Sequence, residues 1–259
     1  DRRLIVCVSM STEASNSWGD DDKSELLVDQ IAVLLKKEDA FYSRIDYLGQ
    51  LPESENDFID KEWRQKAAAW MVRVIDAYNL DRDIANVAMA YLDEVFSASS
   101  LHHIWNKKKC CIVTMASLKL AIKLFVLRMM SMDAMLMLGK RMGISYSFNS
   151  VVDMEHQIML HLSWDMFPPT AFCFVYHMIC LFPQEVRTTS TGYIVQELAK
   201  YMTELTACEC PDSLNFNVSL IAKLMCVHLI FLVKSVEYTF VKFKLSSTSF
   251  ASCLIAMDW

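Results

Sequence analysis

Along residues 60–79 the apolar side chains Trp63, Ala67, Trp70, Val74 and Tyr78 fall three or four apart, the spacing of one helix face. Asp60 stands where a cap is wanted, and Ala67, Ala68 and Ala69 add helix propensity at low bulk. The period repeats over residues 81–99 with Ile84, Val87, Ala88, Tyr91, Leu92 and Phe96, and Asp81 or Asp83 is placed to cap that helix. Residues 107–128 differ, because after three lysines nearly every face is apolar or small. A helix without a polar stripe is a central rod with others packed round it. Ala116, Ser117 and Ala121 let such neighbours come close. Lys119 and Lys123 interrupt the rod on one side, four apart, where like charges repel by roughly 0.2–0.5 kcal/mol. A lysine on a buried rod needs an acceptor.

Further on, residues 129–142 read as a methionine-rich helix filling core space, and residues 150–164 as a fifth helix stopped by Pro168 and Pro169. Thr170 opens a sixth, ended by Pro183. Residues 189–207 form a seventh, with Ile194, Leu198, Tyr201, Met202 and Leu205 as its apolar face. At the other end, Leu26, Leu27, Ile31, Leu34 and Leu35 mark an amphipathic helix from Glu25. Residues 9–24 before it are polar and acidic and read as a flexible lead-in, and residues 52–57 are a second acidic break.

Composition agrees with helices. Apolar residues make up 54% of 259, with only five glycines and five prolines, so turn material is scarce for a sheet protein. The net charge of −6 argues against general nucleic-acid binding. The nine cysteines are scattered without a CxxC pair, and most suit small core residues of a reducing compartment better than zinc ligands. The start at Asp1 rather than Met fits a fragment or a processed form, and the short apolar run after Arg2 and Arg3 is no signal peptide. Phosphate-binding, metalloprotease and serine-hydrolase motifs are absent. His156 and His161 are five apart, the wrong spacing for a shared metal on one helix face, and Cys110 has no evident base. No cofactor, metal site or catalytic residue is expected. A helical chain without a site is more often an interaction module than an enzyme.

The stretch WRQKAAAWMVRVIDAYNLDRDIANVAMAYLDEVFS resembles the first two helices of a cyclin box, with Arg64 six before Trp70 and Leu92-Asp93 in the second helix. ASLKLAIKLF resembles the family's central third helix, and MEHQIMLHLSWDMFPPT its fifth helix with the proline-threonine that opens a second repeat. The family's hallmark positions fall on Arg64, Asp93, Ile112 (usually leucine), Lys123 and Glu155. The resemblance implies an all-α cyclin fold: an extension at 1–57 with one amphipathic helix, a first box at 58–167 and a partial second box at 168–259. It implies a buried Arg64–Asp93 ion pair joining helices one and two. It also implies that Lys123 and Glu155 stand side by side on the outer face and bind a cyclin-dependent kinase, with Leu120, Leu124, Trp164 and Met166 as apolar partners. The function implied is a regulatory, activating subunit in cell-cycle control, in nucleus and cytoplasm, with substrate or inhibitor proteins as further partners. A transcription-factor relative of the same fold is the alternative, and it would need a basic face.

Some positions depart from the family. The substrate-docking patch maps to Trp63, Lys66, Ala67, Trp70 and Arg73, where Lys66 replaces an aliphatic residue and Arg73 an acid, so it is degenerate. KKEDAFYSRIDYLGQL resembles the lead-in of D-type cyclins, yet their LxCxE motif is missing. In the second repeat VQELAKYMTELTAC and VEYTFVKFKLSSTSFASCLIAM resemble consecutive helices, and an apolar insertion at about 209–235 separates them. Its core, residues 218–233 with Lys223 and His228, reads as an extra packed helix, a translated non-coding insert or a short membrane span, the last disfavoured by length and lysine. The end at Trp259 leaves the second repeat without its last two helices.

Overall fold

The computed structural model describes residues 20–42, 47–48, 60–97, 107–126, 131, 133–134, 137, 140, 147–182, 184–209, 217–222 and 224. Among them the chain is all-α, with eight helices and no strand: α1 Asp20–Phe41, α2 Lys61–Ala77, α3 Asp83–Ser97, α4 Lys107–Phe125, α5 Phe148–His161, α6 Ala171–Cys180, α7 Gln184–Arg187 and α8 Ser190–Glu209. Two compact units divide the chain.

The first unit holds α2 to α5, within residues 41–170, together with 204–217. The rod α4 packs against α2, α3 and α5. Val113, Ala116, Ser117, Leu118 and Ala121 are wholly shut from solvent, and small side chains lie where neighbouring helices crowd the rod. Asp60 caps α2 by accepting the Trp63 N–H at 2.6 Å. The other end of α2 closes with Asn79 left-handed (φ 52°), the Asn79 and Leu80 N–H groups bonding the carbonyls of Asp76 and Ile75. This paired closure needs a left-handed residue, which asparagine tolerates. Tyr78, expected on the buried face, is the C-cap residue and is exposed, because the chain leaves the helix there. Asp81 bonds the Asp83 N–H at the start of α3, and Asp83 is buried, accepting from the Thr170 hydroxyl at 3.3 Å.

α5 begins at Phe148 with Ser147 as its cap, and stops at His161 rather than Trp164. Ser163 (φ 50°) and Trp164 (φ 64°) are both left-handed, and their N–H groups bond the carbonyls of Leu160 and Met159. Most of the methionine-rich segment at 129–142 lies outside the described residues. Asp133, Ala134, Met137 and Lys140 are helical there, with Met137 exposed rather than in a core.

The second unit holds residues 20–40 of α1, α6, α7, the first part of α8 and the helical residues Val218 to Ala222. Ile31, Phe174, Val175, Met178, Ala199, Val218 and Ala222 form its buried cluster. α1 starts at Asp20, so part of the expected flexible lead-in is helix. Aspartates in a first turn favour that start through the helix dipole. Glu38, 2% exposed, accepts the Ser219 N–H at 3.0 Å. The described part of the apolar insertion is thus packed helix, while Lys223 and His228 lie outside the described residues. Among the described residues no helix is long and apolar enough to cross a membrane.

α8 corrects its expected face in part, since of that face Met202 does pack on the core. Val195, Ala199, Met202 and Thr203 turn inward, and Ile194 and Tyr201 are more than half exposed. Cys173 is buried and disulfide-bonded, a departure from the expectation that most cysteines are reduced core residues, whereas Cys110, Cys111 and Cys180 are free thiols.

Candidate functional site

Glu155 projects from the middle of α5 toward two lysines one turn apart on α4. Its Oε2 lies 2.5 Å from Lys123 Nζ and its Oε1 2.9 Å from Lys119 Nζ. The two ammonium groups differ in setting: the Lys119 side chain is 8% exposed and the Lys123 side chain 33%. The Glu155 side chain is only 4% exposed, so the pair does not stand wholly on the outer face as expected. Lys123 forms the outer edge, and the carboxylate lies behind it.

Burial opposes the charge on Lys119 and holds its affinity for a proton below the usual lysine range, although Glu155 acts in the other direction. Glu155 Oε1 accepts no well-directed hydrogen bond, so the contact with Lys119 is an ionic approach with poor angular geometry. The repulsion between the lysines is answered by one shared carboxylate.

Of the apolar positions implied for the same site, Leu124 at the last turn of α4 is 40% exposed and Trp164 just past α5 is 61% exposed. Leu120 and Met166 are 4% and 7% exposed and belong to the core cluster, so they support the surface from beneath. The loop after α5 is held by two tyrosines, Tyr42 and Tyr91, whose hydroxyls donate to the carbonyls of Asp165 and Met166. Phe167, exposed and not foreseen, sets its ring edge-on to Phe125 at 5.7 Å.

Arg64 and Asp93 form a fork between α2 and α3, at 2.9 Å from Nε to Oδ1 and 2.8 Å from Nη2 to Oδ2. Arg64 is 1% exposed. Burial works against its charge, and Asp93 outweighs this and raises its proton affinity further. Tyr47 completes the group by donating to Asp93 Oδ1 at 2.9 Å. Sequence reasoning missed Tyr47, whose only signal was its place in DYL. Ile112, the remaining hallmark, is half-buried on α4.

The positions of the degenerate substrate patch part company. Ala67 and Trp70 are buried, and Trp63 is half-buried against Phe96 with ring centroids 5.6 Å apart. Lys66 is exposed and paired with Glu62, and Arg73 is exposed and turned back on the Ala69 carbonyl. His156 and His161 are exposed. Among the described residues no cluster of metal-ligating side chains occurs.

Residues 29–167 match the family model described as the cyclin N-terminal domain. Cyclin-A2 of Gallus gallus is 24% identical over 222 residues, which cover 86% of this chain and 51% of that protein. The chain thus spans about half the length of the curated relative it matches.

Proposed function

The chain belongs to the cyclin family, and from that premise we propose that it is the regulatory subunit of a cyclin-dependent serine/threonine kinase, which it binds and activates. The observation that carries the reading is the Lys123–Glu155 contact between α4 and α5, flanked by the exposed side chains of Leu124 and Trp164. An ammonium at the rim can bind a backbone carbonyl of the partner, and the nearby apolar surface supplies area removed from water. A subunit docked there would hold the kinase's regulatory helix inward, so that its glutamate meets the catalytic lysine. The cyclin itself performs no chemistry in this scheme. Cell-cycle control in nucleus and cytoplasm is the setting proposed.

The choice of test follows from the geometry. Removing Glu155 strands Lys119 in the interior, and an uncompensated buried charge costs about 3–5 kcal/mol, so Glu155→Ala confounds binding with folding. Lys123→Ala removes the outer charge and leaves the inner pair. Capture of purified cyclin-dependent kinase catalytic subunits by Lys123→Ala/Leu124→Ala is expected to fall at least tenfold below wild type, with melting temperature nearly unchanged. Equal capture by both proteins would reject the docking site.

A further inference from the structure

The lysine pair is asymmetric, and the asymmetry has a functional consequence. One carboxylate serves two ammonium groups, each on its own oxygen: Lys119 on Oε1 at 2.9 Å and Lys123 on Oε2 at 2.5 Å. The inner lysine is nearly as enclosed as the carboxylate, at 8% against 4% side-chain exposure. A partner arriving from solvent therefore meets Lys123 and finds neither oxygen of Glu155 free. The inner contact is also the less directional one, since Oε1 accepts no well-formed hydrogen bond. It is held by charge and confinement rather than by an aligned hydrogen bond.

We propose that Lys119 is a positioning residue that latches Glu155 inward, so that the resting site shows a partner one donor, Lys123, and yields its acceptor only when the latch lets go. This rests on the docking reading for what the site engages, but not for the latch itself. The partner chemistry it favours in the resting state is an exposed carbonyl or carboxylate. A partner N–H gains Glu155 only by displacing Lys119. Without Lys119, one oxygen of a buried carboxylate would face an apolar wall, and an unpaired buried charge moves toward water.

The latch is tested without any kinase by labelling carboxylates with a water-soluble carbodiimide and glycine ethyl ester, followed by peptide mass spectrometry. In the wild-type protein Glu155 is expected to label at least tenfold more slowly than Glu62, whose side chain is 71% exposed. Labelling of Glu155 at the rate of Glu62 would overturn the proposal with no variant needed. In Lys119→Met the Glu155 rate is expected to rise severalfold, with Asp93, whose side chain is 8% exposed against Arg64, still slow as a check on folding, and Lys119→Arg is expected to keep it slow. Continued protection in a folded Lys119→Met overturns the latch.

Kinase capture then separates the two readings. Tighter capture by Lys119→Met than by wild type supports gating, and equal capture despite faster labelling removes the gating role. If labelling responds as expected and neither protein captures any kinase, the latch stands and the docking reading fails.

Discussion

Asp93 accepts from three donors on two side chains, the Tyr47 hydroxyl and the Nε and Nη2 groups along one edge of Arg64. A guanidinium held this way is costly to bury and costlier to abandon. Arg64→Ala is expected to lower unfolding free energy by about 3–5 kcal/mol, since it strands a buried carboxylate, as read from urea titration. Next to this pair, Glu94 shows how one charge shapes another. Burial, with the Asp93 carboxylate beside it, pushes the Glu94 carboxyl up to about 7 from an ordinary 4.5. A carboxyl raised in the folded state binds its proton more tightly there than in the unfolded chain. Its contribution is therefore full below about pH 4.5 and fades as pH rises through about 7. Glu94→Gln is expected to flatten that part of the stability profile, so that the gap in melting temperature between pH 5 and pH 8 shrinks relative to wild type. An unchanged gap would mean that Glu94 is solvated in the folded protein.

The helices were legible to different degrees, for reasons that can be traced. α4 was the easiest, because a helix without a polar face has one solution, and its small residues fall where neighbours crowd in. The Lys123–Glu155 and Arg64–Asp93 pairings were legible only through the family likeness, because no local rule links residues 32 or 29 positions apart. The inward-facing side of α8 was read only in part: Met202 packs on the core as expected, but Ile194, Leu198 and Tyr201 share helical spacing with Val195 and Ala199, and periodicity alone cannot choose between two apolar stripes on one helix. The end of α5 was placed too late because its closure uses Ser163, where the usual signal is glycine. That departure predicts its own remedy. A non-glycine residue in the left-handed region costs roughly 1–2 kcal/mol, part of which glycine returns as chain entropy on unfolding. Ser163→Gly is expected to raise unfolding free energy by up to about 1 kcal/mol, measured by urea titration. A loss of stability would show that the Ser163 side chain contributes more than its backbone strain removes.

At the scale of the whole molecule, a helical box that shows no catalytic constellation among the described residues can serve as a platform for a kinase or for nucleic acid, and charge separates the two. Duplex DNA is bound mainly through phosphates, so a binder needs a basic face, and its affinity falls with the logarithm of salt at a slope set by the phosphates it neutralises. This chain carries 31 acidic against 25 basic side chains, a net −6. One of its basic runs, the lysines that open α4, is a short stretch at a helix start, where the dipole disfavours positive charge and offers no reason to gather more. Repulsion between the net charge of the protein and DNA should thus dominate at low salt, where screening is weakest. Fluorescence anisotropy with a random-sequence duplex is expected to show no binding at micromolar protein in either 50 or 150 mM salt, conditions in which a phosphate-dependent binder gains steeply at the lower value. Binding at 50 mM that collapses by 150 mM would restore the nucleic-acid reading at the expense of the kinase one.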